Sequence, residues 1–287
     1  MSQILVIGSL HYDIMLQADH RPEKGETVIG SGCAYKFGGK GGNQAVSAAL
    51  AGAGVRFAGA VGDDAQGAFL LSVLQESGVN TDHVAVHRGI PSGMSVAIQD
   101  AQGDYGAVVV SNANNHIALN ALSDDALWQQ VTMLLLQNEV PEAVNQQAAA
   151  EAKKRGIRVC LNAAPARPLT PEMLGAVDLL VVNAVEARDL SQIAVTDLGA
   201  ACRAAEALGR DFPAVVVTAG EYGVAFCEQG AQSESLPAQQ VKLVSTHGAG
   251  DCFMGMLCAT LMRGASLAVA AHKANLAAAE HVSRPAG

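Results

Sequence analysis

The chain has 287 residues, of which 50% are apolar, 16% are charged and 4% are aromatic, and its formal net charge is −9. This length and composition predict an α/β protein with a large buried core. The acidic balance argues against a nucleic-acid or membrane-surface partner, since either would need a basic face. The sequence has no run of about 18 apolar residues, so we expect no membrane-spanning helix.

The six cysteines and the N-terminal segment indicate a cytoplasmic protein. No two cysteines form a CxxC pair and several lie in apolar runs, which predicts buried, reduced thiols. The N-terminal segment has no basic region, and His11 and Asp13 soon interrupt its apolar run. We therefore expect no signal peptide.

Strand-like and helix-like segments alternate through most of the chain. Ile4 to Ser9 is a short apolar run typical of a buried parallel strand. A glycine-rich turn over 38–43, a helix over 45–54, a strand over 55–64 and a helix over 65–78 follow, and the alternation resumes after residue 123. This pattern predicts an α/β fold in which a doubly wound, mostly parallel sheet is flanked by helices.

Two β-like segments, at about residues 10–37 and 90–112, interrupt this alternation. They predict a small additional β-sheet that acts as a lid, with a turn over 100–104. An exposed sheet needs covering, and a second subunit would cover it. We expect one domain over 1–287 that carries these lid segments.

The run STHGAGD is the first candidate for chemistry. We expect it to follow a strand and begin a helix, because an apolar helical pattern comes after it. The small residues Gly248, Ala249 and Gly250 would let backbone N–H groups converge on an anion at the positive end of the helix dipole. Asp251 would then accept the proton of a hydroxyl that attacks a phosphoryl group. An ordinary Asp N-cap is the alternative interpretation.

The run FGGKGGNQA is the second candidate. It is not a Walker A loop, because Gly41 follows Lys40, and the chain has no GxGxxG after a strand to indicate dinucleotide binding. Glycines on both sides of Lys40 let the backbone approach a polar ligand, and the Asn43 amide can both donate to and accept from vicinal hydroxyls. A glycine-rich turn before a helix is the alternative.

Asn183 and Glu186 are the third candidate. They are three residues apart, so at a helix start they share a face. A carboxylate and an amide oxygen suit Mg²⁺, which prefers oxygen ligands and often keeps its waters. The alternative is a capping box, in which Asn183 is the N-cap and Glu186 the third residue of the helix.

Several other strand ends carry weaker candidates. Asp13 lies just past the first predicted strand, where a carboxylate could hold two sugar hydroxyls, and Glu139 ends an apolar strand. The turn TAGEYG places Thr218, Gly220 and Gly223 where a tight backbone can approach a phosphate. Each of these residues is also ordinary in a plain turn or loop.

Taken together and in order, these segments resemble the ribokinase-like (PfkB) family of carbohydrate kinases. The resemblance covers the whole chain, and the strings that carry it are GSLHYD, PEKGETV, FGGKGGNQAVSAA, QNEVP, LNAAPAR, the pair Asn183 and Glu186, VTAGEYG and GAGD. It implies a doubly wound sheet with a β lid, often shared across a homodimer. It also implies Mg²⁺-dependent transfer of the γ-phosphoryl group of ATP to a hydroxymethyl group of a small sugar, with D-ribose as the first choice.

The resemblance further implies roles for individual residues. Asp251 would be the base, and an anion hole would be formed by Gly248, Ala249 and Gly250. The sugar would be held by Asp13, Gly39, Lys40, Asn43 and Glu139. The nucleotide site would be lined by Asn183, Thr218, Gly220, Gly223 and Asn275. Asn183 and Glu186 would orient Mg²⁺ through water.

Some positions depart from the family pattern. Ser245 stands where the family usually has an Asp that helps to bind K⁺, His247 stands where a small residue is common, and the family usually continues beyond Gly287 with a loop at that cation site. We therefore expect weak or absent activation by K⁺. Ser245 also motivates a non-enzymatic alternative, a regulatory protein that binds sugar or nucleotide.

Two further departures lie near the predicted ligands. His11 replaces a common Asn near the sugar, which leaves another sugar or a nucleoside as an alternative substrate. Ala184 replaces a frequent acidic residue after Asn183, although Glu186 is kept.

Overall fold

The computed structural model describes residues 2–102 and 105–284. The strands of this part of the chain are β1 (Gln3–Ile7), β2 (His11–Gln17), β3 (Gly32–Gly38), β4 (Gly54–Gly62), β5 (Asn80–His87), β6 (Met94–Gln99), β7 (Tyr105–Val110), β8 (Val131–Gln137), β9 (Arg158–Asn162), β10 (Leu179–Asn183), β11 (Ala214–Thr218), β12 (Gly223–Glu228) and β13 (Glu234–Pro237). Its helices are α1 (Lys40–Leu50), α2 (Ala65–Glu76), α3 (Asp125–Trp128), α4 (Glu142–Lys154), α5 (Pro171–Ala176), α6 (Ala184–Ser191), α7 (Leu198–Leu208), α8 (Ala249–Met262) and α9 (Leu267–Ser283). Short 3₁₀ helices cover Asn112–His116, Leu119–Ser123 and Gly220–Tyr222.

The main sheet has nine strands in the order β13-β12-β11-β10-β9-β8-β1-β4-β5. The strands from β11 to β5 are parallel to their neighbours, whereas β12 and β13 form antiparallel pairs at one edge. The chain winds outward from β1 toward β5 on one side and from β8 toward β11 on the other. The topological switch point of this doubly wound sheet therefore lies between β1 and β8.

Apolar strands explain why both faces of the main sheet are covered. Leu134 and Leu136 of β8 belong to one buried cluster, and Leu135, which points the other way, belongs to a second. The first cluster includes residues of α4 and α7, and the second includes residues of α1, α8 and α9. The fold class predicted from the alternation is confirmed.

A second sheet has four strands in the order β3-β2-β6-β7. Strands β2 and β6 are parallel, and the two outer pairs are antiparallel. All four strands fall close to the two segments that interrupt the alternation. The predicted turn over 100–104 includes residues 103 and 104, which lie outside the described residues.

The glycine-rich segment 38–43 is not the turn that the sequence predicts, because α1 already begins at Lys40. Gly39 makes the bend with a φ of 87°, and a Cβ there would lie 2.8 Å from the His11 nitrogen and the Ser9 oxygen. A Cβ on Gly41 would lie 2.6 Å from the Ser9 nitrogen. Glycine is needed so that the first turn of α1 can pack against the end of β1.

The segment before GAGD is also not the predicted strand. Residues 241–244 are irregular, and the preceding strand, β13, ends at Pro237 on the edge of the main sheet. The sequence interpretation was wrong here because a short apolar run, VKLV, has the composition of a strand. In the structure Leu243 is 63% exposed, so this run does not enter the core.

Two further features concern the helices and the cysteines. Of the helices in the described ranges, none combines the length and the apolar character that a membrane span requires. All six cysteines are free thiols, and Cys160, Cys227 and Cys258 are buried.

Candidate active site

The predicted sugar-site residues meet at the switch point. Ser9 follows the carboxyl end of β1 and Glu139 follows that of β8, and the Ser9 Oγ donates to the Glu139 Oε2 at 2.6 Å. The backbone N–H of Lys40, at the start of α1, donates to the same oxygen at 2.8 Å. Glu139 thus joins two neighbouring strands to the N-terminus of a helix, which also favours negative charge.

His11 and Asp13 lie on β2 beside this carboxylate. Both are buried, and the His11 Nδ1 is 3.9 Å from the Glu139 Oε2. The His11 Nε2 has no hydrogen-bond partner among the described residues. The Ser95 Oγ donates to the Asp13 Oδ1 at 2.6 Å. Burial raises the pKa of Asp13, against the lowering effects of Ser95 and of charge on His11 and His247.

Asp251 lies in the first turn of α8 and is buried under α1. The Asn43 Nδ2 donates to its Oδ2 at 3.2 Å, and the Gln44 Nε2 donates to its Oδ1 at 2.9 Å. Burial raises the pKa of Asp251, while the positive charge of Lys40 and the two amide donors lower it in part. A buried carboxylate held by two neutral donors beside a lysine can act as a base once it is ionised.

The small residues before Asp251 form the start of α8. Gly248 is the N-cap with a left-handed φ of 74°, and Ala249 and Gly250 are the first helical residues. Backbone N–H groups in a first helical turn have no acceptor within the helix, so they are available to an anion. On the other side of this segment, the His281 ring is 2.8 Å from the His247 carbonyl oxygen and anchors the loop to α9.

Asn183 and Glu186 form the capping box that was the alternative interpretation. The Asn183 Oδ1 accepts from the backbone N–H groups of Val185 and Glu186 at 2.9 and 3.0 Å. The two Glu186 oxygens accept from the backbone and side chain of Asn183 at 2.8 and 2.9 Å. Glu186 is buried, and this burial raises its pKa, whereas the Asn183 N–H and the Lys40 charge lower it.

Within this capping box, only the carboxylate of Glu186 remains able to contact a hydrated magnesium ion. The Asn183 oxygen already serves two backbone donors, but each carboxylate oxygen of Glu186 accepts one hydrogen bond from Asn183 and keeps a second lone pair. Glu186 can therefore hold water molecules of a hydrated Mg²⁺, in keeping with the reluctance of this ion to lose its waters.

The predicted nucleotide-site residues lie along the carboxyl ends of β10 and β11 and the hairpin beyond. Asn183 and Thr218 are register partners on these neighbouring strands. Gly220 has a φ of 57°, and Gly223 begins β12 with a φ of 120°, so both adopt backbone conformations that favour glycine. Asn275 of α9 donates through its Nδ2 to the Pro237 oxygen at 2.9 Å, and Pro237 pairs with Gly223.

The predicted cation position, Ser245 and His247, lies in the irregular segment before α8. The backbone N–H of His247 donates to the Ser245 Oγ at 3.2 Å, and the Ser245 N–H donates to the Val282 oxygen at 3.2 Å. Ser245 brings a hydroxyl but no charge to this segment.

Several polar residues at this site were missed by the sequence analysis. They are Ser9, Gln44, Ser95 and Asn162. For Gln44 a signal existed, because it lies four residues after Lys40 on a helix otherwise rich in small residues. Ser95 carried no such signal, since its partner Asp13 is 82 residues away.

The profile of the family described as "pfkB family carbohydrate kinase" matches residues 1–287. The chain belongs to this family. It is 36% identical over 283 residues to the ribokinase of Bacillus subtilis, with 97% of this chain and 92% of that protein covered. It is 31% identical to the ribokinase of Haemophilus influenzae, with 98% and 92% covered.

The fold of this carbohydrate kinase also matches a solved structure with ligands. The structure of Arabidopsis thaliana ribokinase complexed with ribose and ATP aligns with a TM-score of 0.92 and 26% identity, covering 100% of this chain and 95% of that one. The family expected from the order of the motifs is thus confirmed, and with it the assignment as a sugar kinase.

Proposed function

We propose that this chain transfers the γ-phosphoryl group of ATP to the hydroxymethyl group of D-ribose, giving ribose 5-phosphate, with Asp251 as the base. The observation that carries the proposal is the environment of Asp251: a buried carboxylate, fixed by Asn43 and Gln44 and beside Lys40, at the start of a helix. The similarity to ribokinases over nearly the whole chain supports ribose as the sugar.

The sugar would bind over the switch point. Asp13, Asn43 and Glu139 offer carboxylate and amide groups to its hydroxyls, and Gly39 and Lys40 bring the backbone and a positive charge to the same place. Asp251 would then take the proton of the attacking hydroxyl. Because phosphoryl transfer depends mainly on positioning and charge neutralisation, this arrangement of fixed groups is suited to it.

The nucleotide would lie across the carboxyl ends of β10 and β11, with its γ-phosphoryl group at the start of α8. The N–H groups at Gly248, Ala249 and Gly250 would stabilise the negative charge of the transferring group. Asn183, Thr218, Gly220, Gly223 and Asn275 would contact the rest of the nucleotide. Glu186 would hold the water shell of Mg²⁺, which neutralises phosphate charge when bound.

The second sheet would act as a lid over the sugar and as the surface of a homodimer. Its strand β2 carries His11 and Asp13, so the sheet and the sugar site are one continuous structure. A lid that excludes water limits the transfer of the phosphoryl group to water. We expect the protein to act in the cytoplasm, as its free thiols suggest.

A nucleoside or a different sugar is the second candidate substrate. The observation that favours it is His11, which is buried beside Glu139 and whose Nε2 has no partner among the described residues. An unpaired imidazole nitrogen in a sugar site can bind a substituent that ribose lacks.

A steady-state screen of sugars and nucleosides with Mg²⁺ and ATP tests the substrate, with ADP release as the readout. We expect D-ribose to give the highest kcat/KM. Turnover of a nucleoside without turnover of ribose would reject ribose, and calorimetric binding of both ligands without ADP release would favour the regulatory protein.

The Asp251→Asn variant tests the base. We expect kcat to fall by about 10²–10⁴-fold, the range for loss of a positioned general base, while ribose and ATP still bind. Near-normal turnover in this variant would reject Asp251 as the base.

The same assay in K⁺ and in a large organic cation should show little difference, because Ser245 supplies no charge; a large, saturable stimulation by K⁺ would contradict this.

A further inference from the structure

Gln44 contacts the proposed base from a position that no ligand can reach. Its side chain is fully buried on the inner face of α1, one helical turn after Lys40. Asn43, the neighbouring residue, is only partly buried and lies on the ligand side. Any effect of Gln44 on the reaction must therefore pass through the residues that it contacts.

The Gln44 amide is held by two acceptors. Its Nε2 donates to the Asp251 Oδ1 at 2.9 Å and to the Asn162 Oδ1 at 3.1 Å, which uses both of its N–H bonds. The Asn162 Nδ2 in turn donates to the Val181 oxygen at 3.3 Å. This chain of hydrogen bonds connects Asp251 on α8 through α1 to the strands β9 and β10.

The oxygen of the same amide, unlike its nitrogen, is not held by hydrogen bonds from the described part of the chain. The Gln44 Oε1 is buried and has no hydrogen-bond partner among the described residues. A buried acceptor without a partner destabilises a fold, so an apolar side chain of similar size would serve a purely structural role better. The amide is therefore best explained by the use of its donor side.

We propose that Gln44 is a positioning residue for Asp251: its clamped amide holds Oδ1, so that Oδ2, the oxygen beside Asn43, is presented to the sugar hydroxyl. The proposal rests on the proposed role of Asp251 as the base. Since Asn43 lies on the ligand side, the oxygen that it contacts is the one nearer the substrate.

The Gln44→Met variant tests this proposal, because Met has a similar length but no N–H group. We expect kcat to fall about 10- to 100-fold, the effect of losing a hydrogen bond to a charged group, with the ribose KM changed by less than about threefold. The amide stabilises the ionised carboxylate and lowers the pKa of Asp251. Its loss should therefore move the acid limb of the kcat profile to higher pH.

Ser47→Ala is the matched control. The Ser47 Oγ donates to the Cys252 oxygen at 3.0 Å, so it links the same two helices without touching Asp251. We expect this variant to keep the wild-type acid limb and a kcat close to that of the wild type. If Gln44→Met shows no displacement of the acid limb, or a kcat as high as that of Ser47→Ala, the positioning role is rejected.

Asn162→Leu provides a second test that does not depend on the folding of Gln44→Met. It keeps the hydrogen bond from Gln44 to Asp251 but removes the second acceptor of the Gln44 amide, the Asn162 Oδ1. We therefore expect a smaller fall in kcat than in Gln44→Met and a smaller displacement of the acid limb in the same direction. Wild-type values for both would reject the proposal.

Asp251→Asn separates the two hypotheses: if it retains turnover, the base assignment fails, whereas if it is inactive and Gln44→Met is normal, only the role of Gln44 fails.

Discussion

Asp251 is a residue whose burial suits its proposed role as the base but lowers the stability of the fold. The start of α8 and the underside of α1 remove it from water, and the resulting desolvation raises its pKa. This effect is offset only in part by the positive charge of Lys40 and by the hydrogen bonds from Gln44 and Asn43, which lower the pKa. An ionised Asp251 in the empty enzyme therefore costs folding free energy, as is common for groups in active sites.

The Asp251→Asn variant should reveal this cost in its stability. Burial raises the pKa of Asp251 in the folded state above its unfolded value of 3.8. The protonated carboxyl therefore contributes stability below pH 3.8, and this contribution is lost as pH rises through the folded-state pKa. Asn cannot ionise, so the Tm of the variant minus that of the wild type should increase with pH. The increase should be about 2–4 °C for each kcal/mol of unfolding free energy that the wild type loses when Asp251 ionises.

Thermal unfolding of both proteins from about pH 3 to about pH 8, a range that includes the unfolded pKa of 3.8, measures this difference. Glu206→Gln is a useful comparison, because hydrogen bonds from Ser233 lower the pKa of this exposed carboxyl; its Tm minus that of the wild type should fall as pH rises toward the usual pKa of 4.5 and stay constant above it. A difference in Tm between Asp251→Asn and the wild type that does not depend on pH would contradict the prediction.

At the scale of elements, the site depends on how closely α1 and α8 approach. Gly255 of α8 faces Ser47 of α1, and a Cβ on Gly255 would lie 2.5 Å from the Ser47 side chain and 2.6 Å from the Ala48 nitrogen. The missing side chain lets the two helices come close enough for the amides of α1 to reach Asp251. Gly41 plays a similar part where α1 meets β1.

Gly255→Ala should therefore destabilise the protein by about 1–3 kcal/mol, the usual cost of overpacking. Gly250→Ala is the matched control for stability, since it lies in the same helix but a Cβ there would meet no atom within 4 Å. We expect this change to stabilise the helix by up to about 1 kcal/mol. Chemical denaturation measures both, and equal stability of the two variants would contradict the close approach.

At the scale of the whole molecule, the second sheet leaves an apolar edge in the single chain. Strand β7 lies at the end of this sheet, and its residues Val108 and Val109 are 67% and 53% exposed. Tyr35 on β3, the strand at the other end, is 62% exposed. An uncovered apolar edge strand favours pairing with another chain, which is the basis of the proposed homodimer.

Val108→Glu should disrupt that homodimer, because the buried carboxylate would lack a partner in the interface. Analytical ultracentrifugation is expected to show a dimer for the wild type and a monomer for the variant. Val86→Glu is the control, since Val86 is 54% exposed on β5, an edge strand of the other sheet. A wild-type monomer, or a dimer that survives Val108→Glu, would reject this interface.

The sequence by itself determined the α/β class, the doubly wound arrangement and the family. These follow from local patterns: apolar runs of strand length, helical spacing and the order of short motifs such as FGGKGGNQA and GAGD. The same patterns placed Asp251, Asn43 and Glu139 at the ends of elements, where open α/β sheets bind ligands.

Only the tertiary structure decided which of these residues touch. Ser9 and Glu139 are 130 residues apart and Gln44 and Asp251 are 207 apart, so their contacts depend on strand order, register and helix packing. The same holds for the start of α1 at Lys40, which requires β1 to lie against Gly41, and for the exposed segment 241–244. Local periodicity cannot encode such contacts, because they arise when distant segments pack together.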